Sequence, residues 1–308
     1  MSATIVAAPR SSTEARVLVA GATGMLGGAI ARKLVAAGVP IRAVARNRDR
    51  LEALAGPGVE IAAVDLLNLA ALTEACRGVG QIVSTVNNNM GTGAASPTRV
   101  DLTAHQNLCA AARNTGVRRL MYVSARGIDQ DSPVDIFRIK WYIEGAIRRS
   151  GVPCVILRPT AFMDVWIDLI LAGGIRNKGF TTIFGAGTAP ANYIAVEDVA
   201  EFAVQILARE EVVNEKIEIG GPSTMTMNEL ATLVERRLGS SGRRRHIPTI
   251  AMKLLPPLVR PFSEVNARLM TLGYFSTIPA PFPGWNAAAE RFGVSPRTVE
   301  TYIDAMKR

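Results

Sequence analysis

Gly21-Ala-Thr-Gly24-Met-Leu-Gly27 stands between an apolar run, Arg16–Ala20, and a helical stretch, Ala29–Ala37, that Gly38 closes. No other feature restricts the fold so strongly. In a turn joining the first strand of a series to a helix, Gly21 permits the sharp reversal. Gly24 lets the backbone come close to a pyrophosphate, and Gly27 lets the helix pack near the sheet. The helix start adds N–H donors and the positive end of its dipole. Gly21, Thr23, Gly24, Met25, Leu26 and Gly27 are therefore expected to cradle a dinucleotide. The competing reading is a purely structural turn.

The rest of the chain supports that expectation. Ile41–Ala45, Val59–Val64, Gln81–Val86, Arg119–Ser124 and Cys154–Leu157 are short continuous apolar runs, and helix-period segments such as Leu69–Cys76, Pro97–Asn114 and Asp135–Ser150 lie between them. Such runs suit a parallel sheet covered on both faces, and right-handed crossovers then lead to an α/β, doubly wound Rossmann fold. Beyond about residue 160 the rhythm loosens, and a series of prolines from Pro248 to Pro283 interrupts an apolar, basic stretch. The expected division is a flexible tail at 1–15, a nucleotide-binding core at 16–160, and core completion with a smaller, mainly helical substrate or interaction region at 161–308.

The second strand ends in Arg46-Asn-Arg48, where NAD-binding sheets carry Asp or Glu for the ribose 2′-hydroxyl. A guanidinium there is the natural partner of a 2′-phosphate, so NADP(H) is expected over NAD(H). A solvated strand-end arginine is the plainer alternative. Asp65 and Leu66 close the third strand, where a carboxylate can accept from the adenine amino group. Thr85 and Asn87, ending the fourth, belong beside the ribose and nicotinamide. The polar segment 87–93 reads as a loop over the cofactor.

Taken together, Gly21–Gly27, Ala45-Arg46-Asn47, Val64-Asp65-Leu66, Gly116–Ser124, Lys140–Glu144, Ser150–Pro159 and the 193–200 stretch around Asp198 resemble the atypical, NmrA-like and isoflavone-reductase-like branch of the short-chain dehydrogenase/reductases. The resemblance covers roughly residues 16–240. It implies that Lys140 contacts the cofactor and acts as general acid/base or polarises the substrate, that Ser124 occupies the strand-end position of the catalytic serine, and that Pro159 and Phe162 lie over the nicotinamide. The superfamily's usual tyrosine, four residues before the lysine, is replaced by Ile136; Tyr142 lies on another face of the helix. From the helix pattern alone, Lys140 reads as a solvated residue paired with Glu144 at i+4. Phe162, Met163 and Trp166 are expected either in an apolar pocket or in ordinary core packing, and His105 in the core or an interface.

The remaining composition narrows the setting. Three scattered cysteines, Cys76, Cys109 and Cys154, indicate reduced thiols and a cytoplasmic protein. Two histidines suggest no metal site. The most apolar segment, 152–175, is interrupted by charges and does not span a membrane. The net charge of +9 is uneven: residues 1–235 carry 23 basic and 22 acidic residues, whereas 236–308 carry 12 and 4. The basic cluster 242–247 reads as a solvated turn, with an anionic membrane surface or protein partner as the functional alternative; no nucleic-acid recognition motif accompanies it. Self-association is left open. Two functions remain: an NADP(H)-dependent reductase of a small carbonyl, quinone or conjugated substrate, and a non-catalytic NADP(H)-binding regulator or assembly factor.

Overall fold

The computed structural model describes residues 16–88, 91–93, 96–240 and 243–306. The expected tail, Asn89 and Met90 of the polar loop, and Gly242 of the basic cluster lie outside the described residues. The first half alternates strictly: β1 (Val17–Ala20), α1 (Met25–Ala36), β2 (Ile41–Ala45), α2 (Arg48–Glu52), β3 (Val59–Ala63), α3 (Leu69–Cys76), β4 (Gln81–Ser84), α4 (Pro97–Thr115), β5 (Arg119–Val123), α5 (Asp135–Arg149) and β6 (Cys154–Pro159). The strands are continuously apolar because both sheet faces are covered. Val17 and Val19 join the core beneath α1, whereas Leu18 and Ala20 join the core beneath α3, α4 and α5. Helix α1 forms on Leu26, Ile30 and Leu34, spaced four apart and all buried.

The second half contributes β7 (Ala161–Phe162), a π-helical segment (Asp164–Ala172), α6 (Gly173–Lys178), β8 (Thr181–Phe184), β9 (Pro190–Ile194), α7 (Val196–Leu207), β10 (Glu215–Ile219), β11 (Thr224–Thr226), α8 (Met227–Leu238) and β12 (Arg244–Ile247). It ends in α9 (Thr249–Leu254), α10 (Pro256–Val259), α11 (Glu264–Phe275), α12 (Trp285–Phe292) and α13 (Val299–Asp304). The main sheet runs β10-β6-β5-β4-β1-β2-β3, with every pairing parallel. This is a doubly wound Rossmann sheet. The chain reverses direction across it between β1 and β4, the place where such sheets bind ligands. Helix α7 packs on α1, and β10 forms the sheet's edge, so residues beyond 160 complete this core.

Arg119 opens β5 at the end of the sheet away from those carboxyl termini. Its buried guanidinium donates to the carbonyls of Leu207 (2.7 Å), Arg209 (2.6 Å) and Val212 (2.8 Å) and to Gln81 Oε1 (3.0 Å). One cation thereby gathers the last carbonyl of α7, which has no intrahelical donor, and two carbonyls of the loop that follows.

The basic cluster differs from the expected solvated turn. Arg244–Ile247 forms β12, parallel to β8. Arg244 reaches Glu235 (2.7 Å) and Thr232 (2.7 Å), and Arg245 stacks over Phe180 at 4.2 Å. Among the described residues no helix is long and apolar enough to cross a membrane.

Candidate active site

The carboxyl ends of β1, β2, β4, β5 and β6 open into one cleft of about 710 Å3. Gly21, Thr23, Gly24, Met25, Leu26, Gly27, Arg46, Asp65, Leu66, Thr85, Asn87, Ser124, Lys140, Pro159 and Phe162 all line it. The sequence-derived site residues are thus brought to one surface, from elements far apart in the chain.

The glycine loop is constrained from two sides. Gly21 has φ +85°, and a β-carbon there would sit 2.9 Å from Thr85 Oγ1; one on Gly27 would run into the Gly21 carbonyl. Inside the protein, Gly24 would meet only that carbonyl, at 3.2 Å. The space a Gly24 side chain would take is therefore open cleft, which suits a backbone that a phosphate approaches. Gly24 supplies no capping side chain to α1, and no acidic residue lies in the first turn. The first-turn N–H groups are left to an anion.

Arg46 is exposed on the cleft wall and makes no hydrogen bond or ion pair with a described residue. Neighbouring cations are engaged: Arg48 with Glu52 (3.2 Å) and Arg50 with the Thr23 carbonyl (2.9 Å). Asp65 Oδ1 accepts from the Leu67 amide at 3.0 Å, which fixes its direction.

Deeper in, α5 presents Lys140 to the cleft. The i+4 pairing with Glu144 is not made. Glu144 is fully buried and receives two hydrogen bonds from Arg158, at 2.9 and 2.8 Å, so Lys140 is not a solvated surface residue. Its ammonium donates to Tyr122 Oη (3.4 Å) and the Val123 carbonyl (3.5 Å) at the long end of hydrogen-bond range, leaving capacity for another acceptor. Burial brings its pKa down to about 8, against the opposing pull of the Asp101 and Glu144 carboxylates. Burial likewise raises the Asp101 carboxyl, while the Asn88 amide donates to it at 3.0 Å.

Asp101 Oδ1 and Ser124 Oγ are buried and without hydrogen-bond partners in a structure that holds only protein. Unpaired buried polar atoms on a cleft wall fit a site that a polar ligand completes. Together with the open side of Gly24, they match a dinucleotide.

Sequence reasoning missed Asp101 and Tyr122. The tyrosine absent at position 136 has no replacement on α5: Tyr142 is exposed and lies against Trp141. A phenol instead arrives from β5. Tyr122 is buried, its pKa pushed well above the ordinary value by desolvation, so it remains a neutral hydroxyl next to Lys140. His105 is a core residue, as its helical position suggested. Nε2 lies 3.0 Å from Ser84 Oγ, Nδ1 lies 2.7 Å from the Asp101 carbonyl, and burial lowers its pKa to about 4.

The far side of the cleft is apolar. Phe162, Val165, Trp166, Ile170, Met227, Leu272 and Phe275 line it, whereas Met163 is fully buried in the core behind. The π-helical winding, with its i→i+5 hydrogen bonds, turns Val165 and Ile170 to the same side. Phe137 of α5 meets Phe275 of α11 edge to face at 4.8 Å, and Asp135 holds Arg268 at 3.1 Å. These contacts close α11 over the cleft. Asp198, on α7, binds Arg297 through its main-chain amide (2.9 Å) and its guanidinium (3.2 Å), tying down the chain before α13.

A glycine loop on the first strand of a doubly wound sheet, opening into a cleft with a half-buried lysine, defines a dinucleotide-binding Rossmann protein. The chain belongs to the NmrA-like family, which it matches over residues 13–277. It is 31% identical over 294 residues to the (4-alkanoyl-5-oxo-2,5-dihydrofuran-3-yl)methyl phosphate reductase of Streptomyces griseus, covering 90% of this chain and 99% of that protein. The NAD(P)H azoreductase of Xenophilus azovorans is 29% identical over 228 residues, 74% of this chain and 75% of the relative. Among solved structures, the NADPH-dependent quinone oxidoreductase of Escherichia coli in complex with NADPH superposes with a TM-score of 0.75 at 20% identity, covering 93% of this chain and 98% of that one. That last similarity concerns the fold.

Proposed function

We propose that the protein is an NADP(H)-dependent reductase of a small, largely apolar carbonyl, quinone or conjugated acceptor. The observation that carries this reading is the position of Lys140. Desolvation lowers the pKa of its amine to about 8, and it lines the one cleft that the glycine loop and the aromatic side chains share. Residues 16–160 form the cofactor side, and 161–308 complete the core and supply the substrate side. The glycine loop and α1 hold the pyrophosphate, Arg46 the 2′-phosphate, Asp65 the adenine side, and Thr85, Asn87, Ser124, Pro159 and Phe162 the inner half of the nucleotide. Bound there, NADPH supplies hydride.

Lys140 orients the acceptor oxygen or nitrogen and delivers a proton to it as hydride arrives. Tyr122, too buried to touch substrate, positions the ammonium. The aromatic wall excludes water. Relatives bearing the names of reductases support this reading, and the three buried, unpaired cysteines fit a cytoplasmic setting.

NADPH consumption over quinones, aldehydes and enones, with Lys140→Ala as control, tests the proposal. Turnover that depends on Lys140 is expected. Turnover indifferent to it removes Lys140 from the mechanism. NADPH binding without turnover of any acceptor favours a regulator, the reading to which the missing tyrosine at 136 points.

A further inference from the structure

From residue 236 to residue 263 the chain carries seven basic residues and no acidic one. Helices α9 and α10 lie within this stretch and pack on α11 with one face only. Met252 and Pro256 are buried on that face. The opposite face exposes Ile250 (63%), Leu254 (59%), Leu258 (67%) and, just beyond α10, Phe262 (91%). Positions 250, 254, 258 and 262 are each four apart, so they form one stripe running along both helices. Large apolar side chains at this exposure and this spacing are not scattered surface residues. Lys253 lies beside the stripe, exposed and without an ion pair among the described residues, and Arg260 is 60% exposed in a loose 3.6 Å contact with Asp135.

We infer that the α9–α10 face is a membrane-docking surface that seats the protein on an anionic bilayer. The charge of the stretch decides the occupant. Lys253 and Arg260 are the charged side chains of α9, α10 and the residue after them. A second copy would bring like charges against their own image, because a two-fold interface is self-complementary in shape but not in charge of one sign. An anionic lipid interface matches both components at once: aliphatic and aromatic side chains enter the acyl boundary while lysine and arginine stay among the headgroups. The same two helices support α11, whose Leu272 and Phe275 line the apolar part of the cleft. Docking would thus bring the substrate entrance close to the lipid phase.

Flotation of the full chain with vesicles of phosphatidylcholine, alone or mixed with phosphatidylglycerol, tests the inference. Binding is expected only to the anionic vesicles, and it should fall steeply between low salt and roughly 0.5 M NaCl. The double variant Leu258→Asp/Phe262→Asp should bind at least about tenfold more weakly, and Lys253→Glu roughly fivefold or more. Both substitutions fall on exposed positions, and unchanged circular dichroism and Tm would establish that the variants fold. Absence of binding to anionic vesicles at low salt overturns the inference, as does binding that both variants retain. Concentration-dependent self-association that Leu258→Asp/Phe262→Asp abolishes would assign the face to a second copy instead.

Discussion

The two walls of the cleft are built on different principles. The nucleotide wall consists of turns at the ends of adjacent parallel strands, each a few residues long and held by the sheet's own register. The proposed substrate wall is assembled from α5, β7, the π-helical segment, α8 and α11, and its distant parts are joined by side-chain contacts such as that of Phe137 with Phe275. The shape of the first wall is set by backbone geometry. The second depends on packing, where one side chain can change shape and selectivity without disturbing the sheet.

Substitutions on the two walls should therefore separate affinity for NADPH from selection of the acceptor. The largest loss of cofactor binding is expected for Gly27→Ala, whose β-carbon enters the Gly21 carbonyl. Loss of NADPH affinity by roughly a hundredfold or more, measured by fluorescence titration, should accompany the displaced loop. Unchanged affinity would show that the nucleotide wall is less fixed than its geometry.

At the border between the walls, Lys140→Ala should lower kcat by roughly 10²–10⁴-fold with NADPH affinity little changed. Because the ammonium form predominates below a pKa of about 8, wild-type kcat/KM should fall as pH rises through that value. The variant should lose this limb; a pH profile identical in both proteins would assign the titration to another group.

Arg46→Asp should weaken NADPH binding by roughly ten- to a hundredfold, the loss of one charge-assisted phosphate contact, and leave NADH binding unchanged or improved. Equal losses for both nucleotides would place Arg46 outside the 2′-phosphate contact. The smallest effect belongs to the second wall. Phe275→Ala should raise KM for an apolar acceptor by roughly tenfold at most while Kd for NADPH stays constant. A matching change in Kd would mean that the walls are coupled through α11.

The same contrast explains what could be read from the sequence. The six strands up to residue 159, the glycine loop and Arg46 announce themselves through apolar runs, turn residues and strand-end position. Lys140 stands out only through the family resemblance, its helix pattern alone reading as a solvated residue. The apolar wall does not announce itself, because its residues are adjacent only after folding, and a π-helical segment has no distinctive sequence period. Asp101 resembles any polar residue in a helix and Tyr122 any aromatic residue in a strand; only the fold sets them around Lys140. The basic cluster read as a turn because its partner strand, β8, lies far upstream.

Arg119 concentrates the far end of the sheet in one side chain. It fastens the end of α7 and the loop after it to the start of β5. Losing that guanidinium would cost about 1–3 kcal/mol for each carbonyl left buried and unpaired, that of Val212 among them. The penalty would fall on the fold, at the end of the sheet away from the cleft.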